Sequence, residues 1–184
     1  MRRRLVGLAA LWGFAEATLF FLVPDVLLSF AAMRSGLRPV LVACLAAALG
    51  ATLGGATMMV AAQVATEAVR AAILALPGIG PQLLEEAGRR FAQEGVLAAF
   101  LGSLSGVPYK LYAFAAGASA GGEGAPALLL ATPLIRLPRF VGATLLAAGA
   151  RRLLVSRLGE DAALALLAAF WLGFYAWYFS VMAA

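Results

Sequence analysis

From Val40 to Val64 the chain reads VLVACLAAALGATLGGATMMVAAQV, without a single acid or base. At about 1.5 Å of rise per residue, such a stretch is long enough as a helix to cross the hydrocarbon core of a bilayer. Composition says the same of the whole molecule. Of its 184 residues, 64% are hydrophobic and 12% charged, against roughly 25% charged in an average soluble domain. Mean hydropathy is +0.95. A soluble protein already shows roughly 55–60% apolar surface, so water has no room for the excess. The sequence predicts an all-α integral membrane protein, one membrane domain over 1–184, with lipid as its solvent.

A net charge of +5 and a pI near 10.1 would suggest nucleic acid in a soluble chain. Here the arginines flank apolar segments: Arg2, Arg3 and Arg4, then Arg34 and Arg38, then Arg151, Arg152 and Arg157. Loop placement in a membrane protein accounts for them, and they would attract anionic head groups, so no nucleic-acid partner is expected. The start MRRRLVGLAAL has the basic end and apolar core of a secretory leader. Glu16 within that apolar run, and the further apolar segments behind it, favour a retained membrane segment.

Cys44 is the one cysteine and histidine is absent, so zinc and haem sites are poorly supplied and no metal or cofactor is expected. Cys44 itself reads as a small buried residue. No GxGxxG or phosphate-loop motif occurs. Ser103, Ser105 and Ser119 have no histidine to activate them, and a serine–lysine arrangement of Ser103 or Ser105 with Lys110 has no further support. The chain is read as a non-enzyme.

Two apolar segments are interrupted. In 5–33 the run Leu5–Val23 is followed by Pro24, Asp25 and the short piece VLLSFAAM. Proline removes a donor and disfavours helix at the residue before it. With arginines at both ends, this segment is expected to enter and leave on one side as a re-entrant hairpin whose arms meet at Pro24. In 95–118 the break is SLSGVPYK, with Gly106 and Pro108 as breakers and Lys110 behind them. Spanning helices are expected at 40–64 and 162–181, and a broken helix at 126–150, where Pro133 and Pro138 interrupt the run. Between 66 and 94, acids and bases at helical spacing (Glu67 with Arg70, Glu85 and Glu86 with Arg89 and Arg90) predict two amphipathic helices on the membrane surface, joined by the turn PGIGP. Trp171, Tyr175, Trp177 and Tyr178 suit a membrane interface or a protein contact. A pair of interrupted segments in corresponding halves points to a transporter site at mid-membrane.

Charges within such segments are expensive and mark function or packing. Glu16 is read as a proton or ion-coupling group, with a snorkelling or helix-packing role as the alternative. Asp25 is either a second coupling group or the cap of its arm. Lys110, Arg136 and Arg139, with the hydroxyls of Ser103, Ser105 and Tyr109, form a candidate lipid-phosphate site. For Arg136 and Arg139 the alternative is an ordinary loop. Glu16 and Lys110, matched in position, are expected to approach each other.

Three motifs carry a family resemblance: GFAEATLFFLVPDVLL, ALGATLGGATMMVAAQ and FAQEGVLAAFLGSLSGVPYKLYAFAAGAS. Over roughly Leu11 to Leu146 the chain resembles the DedA family, also called the SNARE-associated or VTT-domain family, and especially its small bacterial members. Glu16 takes the place of the family's membrane-embedded glutamate, and Asp25 that of the acid after its proline. Ser103 and Leu104 stand where many members have arginine and phenylalanine, and Lys110 is nearest to the second family arginine. Arg136 and Arg139, in IRLPRF, are similar to a basic pair that follows the core. The resemblance implies a multi-pass protein of the bacterial inner membrane with two opposed re-entrant hairpins. It also implies translocation of a phosphate-bearing lipid, undecaprenyl phosphate or a phospholipid, coupled to protons or sodium. The partners would be anionic or polyprenyl-phosphate membrane lipids, with a second copy of the chain as a further candidate. The other reading of the same residues is a structural or assembly membrane protein whose buried charges only fix helix packing.

Overall fold

The computed structural model describes residues 2–182, with side chains over 3–180; the Arg2 side chain of the basic start and that of Val181 in the last predicted span lie outside the described ones. Nine α-helices and no strand occur among the described residues. They are α1 (Arg2–Ala17), α2 (Asp25–Arg34), α3 (Leu37–Val64), α4 (Thr66–Leu74), α5 (Pro81–Glu94), α6 (Val96–Ser105), α7 (Tyr109–Ala118), α8 (Ala125–Leu158) and α9 (Glu160–Met182). Three of them, α3, α8 and α9, are long and apolar enough to cross a membrane. Leu45, Leu49, Leu53 and Val60 on α3, Leu130, Leu134 and Leu146 on α8, and Phe170 and Leu172 on α9 face outward. So much outward-facing apolar surface is what a lipid-solvated helical protein presents. The architecture is that of a multi-pass helical membrane protein in general.

α3 and α8 pack on each other and form the frame. On it, α1 lies against α3 and α2 against α8, while α7 lies against α3 and α6 against α8. Each interrupted unit thus straddles the frame with one arm per long helix. The α1–α3 contact is backbone to backbone. A Cβ on Gly13 would run into the Ala47 carbonyl, and one on Gly50 into the Ala10 carbonyl. Small residues at such crossings let helices approach where no hydrophobic force between them exists.

The first break is longer than a junction at Pro24. α1 stops at Ala17, and residues 18–24 are non-helical. The stop is local: Thr18 Oγ1 donates to the Ala15 carbonyl at 2.8 Å, and the Phe20 N–H to the same carbonyl at 2.9 Å. Both bonds satisfy the one carbonyl, that of Ala15, that a continuing helix would have used. Trp12 Nε1 then reaches over to the Leu22 carbonyl at 3.0 Å and pins the loop. The second break falls where the sequence put it. Gly106 takes the left-handed conformation (φ +94°), and the Val107 N–H returns to the Gly102 carbonyl at 2.9 Å, closing α6 in the manner of a Schellman cap. α7 follows directly after Pro108.

The broken helix expected at 126–150 is instead one helix of 34 residues that runs through Pro133 and Pro138. Proline's fixed φ is itself helical, so each ring removes one backbone bond without ending the helix when neighbours hold both sides. Here α2, α3 and α6 all pack on α8. α4 and α5 form as two short helices, the latter with Leu84, Ala87 and Phe91 buried. Of their expected ion pairs, only those of Glu86 form: its carboxylate meets Arg89 Nη2 and Arg90 Nε, each at 2.6 Å. Hydrogen bonds from Arg90 and Arg89 hold the Glu86 carboxyl below its ordinary range. No pair joins Glu67 to Arg70, or Glu85 to either arginine, among the described residues. Cys44 is fully buried, 3.2 Å from Thr144 Oγ1 at the α3–α8 contact.

Candidate functional site

The two breaks face each other. Lys110, in the first turn of α7, extends its ammonium to the Phe20 carbonyl in the first break at 2.6 Å. A loop carbonyl freed from helical bonding is a natural acceptor for a buried cation. Lys110 is 2% exposed, has three N–H donors, and makes this one bond among the described residues.

Glu16 does not pair with Lys110. Its carboxylate accepts a hydrogen bond from Arg136 Nη2, in the middle of α8, and both side chains are buried. The Arg136 guanidinium also stacks 4.9 Å from the Phe140 ring centre and 5.7 Å from that of Tyr109, contacts that offset part of its lost hydration. The planar, weakly hydrated guanidinium suits this site better than an ammonium does. Sequence reasoning missed this partner because Pro133 and Pro138 made the region read as a broken helix, with an ordinary loop as the alternative for Arg136. In the continuous helix Arg136 is a core residue facing α1. It is therefore held by Glu16 in the interior and is not one of the residues that line the candidate phosphate site.

Asp25 is answered by Arg139, three residues further along α8, with 2.9 Å between Nη2 and Oδ2. The guanidinium N–H bonds do not aim at the carboxylate, so both Asp25 oxygens stay without a hydrogen bond among the described residues. Nor does Asp25 cap its arm: Pro24 holds the cap position and no side-chain capping bond forms at α2. Arg139 keeps 26% of its side chain exposed and directs Nη1 to the Ser103 carbonyl at 3.5 Å.

Between the breaks lies a cavity of about 460 Å³. Glu16, Lys110, Arg139, Ser103, Ser105, Gly106 and Pro108 all line it, which unites most of the residues singled out in the sequence. Ser103 is buried, and its Oγ has no partner among the described residues. Ser105 is exposed and donates only to the Gly102 carbonyl at 3.3 Å. Asp25 and Arg136 stand outside the lining. Tyr109 points to α3 and α8 instead: its ring covers Gly55, and its hydroxyl lies 2.5 Å from Thr132 Oγ1. Because the Thr132 proton goes to the Leu128 carbonyl, Tyr109 is the donor of that pair. It supports the frame and does not reach the cavity.

The opposite wall comes from α9, with Phe174, Tyr175, Trp177 and Tyr178. Two bonds fasten that helix to the first unit. The Val23 N–H donates to the Tyr175 hydroxyl at 3.0 Å, and Trp171 Nε1 donates to Ser29 Oγ at 2.9 Å. Trp171, Tyr175 and Tyr178 share one helix face by their spacing of four and three, and that spacing was the signal for a packed wall. The exposed side chains of Leu104 and Trp177 give the cavity an apolar rim.

Comparison with known proteins finds no matching family model, no matching curated protein and no matching solved structure. The chemistry of the site must therefore be read from its own residues. It holds a buried ammonium under an apolar, aromatic rim.

Proposed function

We propose that this protein moves a phosphate-bearing lipid, undecaprenyl phosphate or a phospholipid, across a bacterial inner membrane. The observation that carries the reading is the Lys110 ammonium: buried, bonded once, and facing a cavity whose rim is hydrocarbon and aromatic. A buried cation with unused donors favours an anionic ligand, and charge-assisted bonds to phosphate oxygens are among the strongest available to it. The apolar rim gives the lipid's chain a place while its phosphate enters. Ser103 and Arg139 add a hydroxyl and a guanidinium beside Lys110. The resemblance to the DedA family supports this reading, as does the packing of each interrupted unit with one arm on α3 and one on α8; we read the two units as opposed re-entrant hairpins. Glu16 is the coupling group: a proton or sodium ion at its carboxylate weakens its hold on Arg136.

A second reading draws on the same ion pairs. Glu16 with Arg136 ties α1 to α8, and Asp25 with Arg139 ties α2 to α8. Taken alone, these would make a structural membrane protein locked by charge. In that reading Lys110 only ties α7 to the first break through the Phe20 carbonyl, and the cavity beside it is left without a role. Reconstitution in liposomes decides between them. The transporter reading expects labelled polyprenyl phosphate or phospholipid to cross with wild-type protein and not with Lys110→Met at equal abundance. If no phosphate lipid crosses, or if Lys110→Met transports normally, the locked-bundle reading takes over. For the hairpins, labelling of single cysteines at Arg4 and Arg34 in a Cys44→Ala chain should occur from the same side. Labelling from opposite sides would replace the first hairpin with a bent crossing.

A further inference from the structure

The charges around the cavity do not balance. Glu16 is matched by Arg136 and Asp25 by Arg139. Among the described residues the ammonium of Lys110 has only a carbonyl. Three cations stand against two carboxylates, which leaves one positive charge in excess. Other sources of charge nearly cancel. Each break joins the C-terminus of one helix (α1 or α6) to the N-terminus of the next (α2 or α7), so each places opposite partial charges side by side. From the remaining elements come the phenols of Tyr175 and Tyr178 on α9 and, behind the lining, Tyr109 on α7; the turn before α5 contributes Pro77 and Ile79. No further Asp, Glu, Lys or Arg lines the cavity among the described residues.

Resting on the lipid-phosphate reading, we infer that the site selects its ligand by charge state, and takes a phosphate group that carries one negative charge. A buried site tolerates a ligand that neutralises it and penalises one that leaves net charge behind, because uncompensated charge in low dielectric is costly. A monoanion against Lys110 brings the whole cluster to zero. A dianion leaves it at minus one, next to the Asp25 carboxylate, whose oxygens already lack hydrogen-bond donors. The unpartnered Ser103 Oγ donates to the monoanion without altering this balance. Two kinds of group have the right charge: a phosphodiester at any pH near neutral, and a phosphomonoester that keeps one proton. A monoester ionises a second time near pH 6 in its simple forms, so it must enter this site with a proton, whereas a diester enters without one.

Decyl phosphate and its methyl ester test this, having the same chain and phosphate and differing by one ionisation. Binding to purified full-length protein is followed by tryptophan fluorescence, with Trp177 on the cavity wall as reporter, at pH 5.5 and pH 7.5. The methyl ester should bind equally at both. Decyl phosphate should nearly match it at pH 5.5 and bind roughly 25-fold more weakly at pH 7.5, the fall in its singly charged fraction for a second ionisation near pH 6. Asp25→Asn, which frees Arg139 and raises the excess to two, should abolish or reverse the loss at pH 7.5. Glu16→Gln frees Arg136 and serves the same purpose if the first variant does not fold. Decyl phosphate binding at pH 7.5 as tightly as at pH 5.5 would overturn charge selection and leave lipid-phosphate binding standing. So would a folded Asp25→Asn or Glu16→Gln protein with the loss undiminished. Binding of neither compound overturns both readings together.

Discussion

Both α1–α2 and α6–α7 interrupt an apolar helix with a proline-containing break and set one arm on α3 and the other on α8. Their charges are treated differently. The first unit carries two carboxylates, and α8 meets each with an arginine. The second carries one ammonium, and among the described residues it meets only a backbone carbonyl of the first. A closed charge pair contributes to holding helices in register, since removing one partner strands the other in low dielectric. An ammonium left with unused donors contributes little to the fold and is available to a ligand. One backbone plan is thus closed by ion pairs in the first unit and, in the second, sets a buried ammonium on a loop carbonyl.

The largest test of this contrast is Arg136→Met. It strands Glu16 among buried neighbours, and a loss of about 3–5 kcal/mol is expected, measurable as a lower unfolding midpoint in detergent. Next comes the close α1–α3 crossing. Gly50→Val drives a side chain into the Ala10 backbone and should cost about 1–3 kcal/mol as an overpacked contact. A variant as stable as wild type would mean that α1 can shift on the frame. Tyr175→Phe removes the acceptor of the Val23 N–H, with an expected loss of about 0.5–1.5 kcal/mol. Faster hydrogen exchange at Val23 would report it directly. Smallest in stability is Lys110→Met. The lost bond to Phe20 and the relieved burial of charge act in opposite directions, so the change should stay within about 1 kcal/mol of zero while phosphate-lipid binding disappears. If Lys110→Met destabilised as much as Arg136→Met, the second unit would be a clamp like the first.

Much was legible in the chain itself. Its apolar runs dictated helices and a lipid solvent, because no other solvent accommodates that surface. The α3 and α9 spans, the short α4 and α5, and the break at Gly106–Pro108 follow from composition and from backbone rules that act within a few residues. Glu16, Asp25 and Lys110 stood out because charge is rare and expensive where they lie. Pro133 and Pro138 misled: proline reports a missing donor, and whether the helix survives depends on what packs beside it. The pairings were not legible at all. Glu16 lies far in sequence from both Lys110 and Arg136, and the choice between them depends on which face of α8 turns inward. Asp25, read from the sequence as a coupling group or a cap, meets Arg139 for the same reason. Local rules acting over a turn or two determined the elements and named the unusual residues. Only the packing of α1, α2 and α7 on α3 and α8 decided which charges meet and that Lys110 stays unpaired, since Coulomb energy in a dry interior depends on distances that span the whole fold.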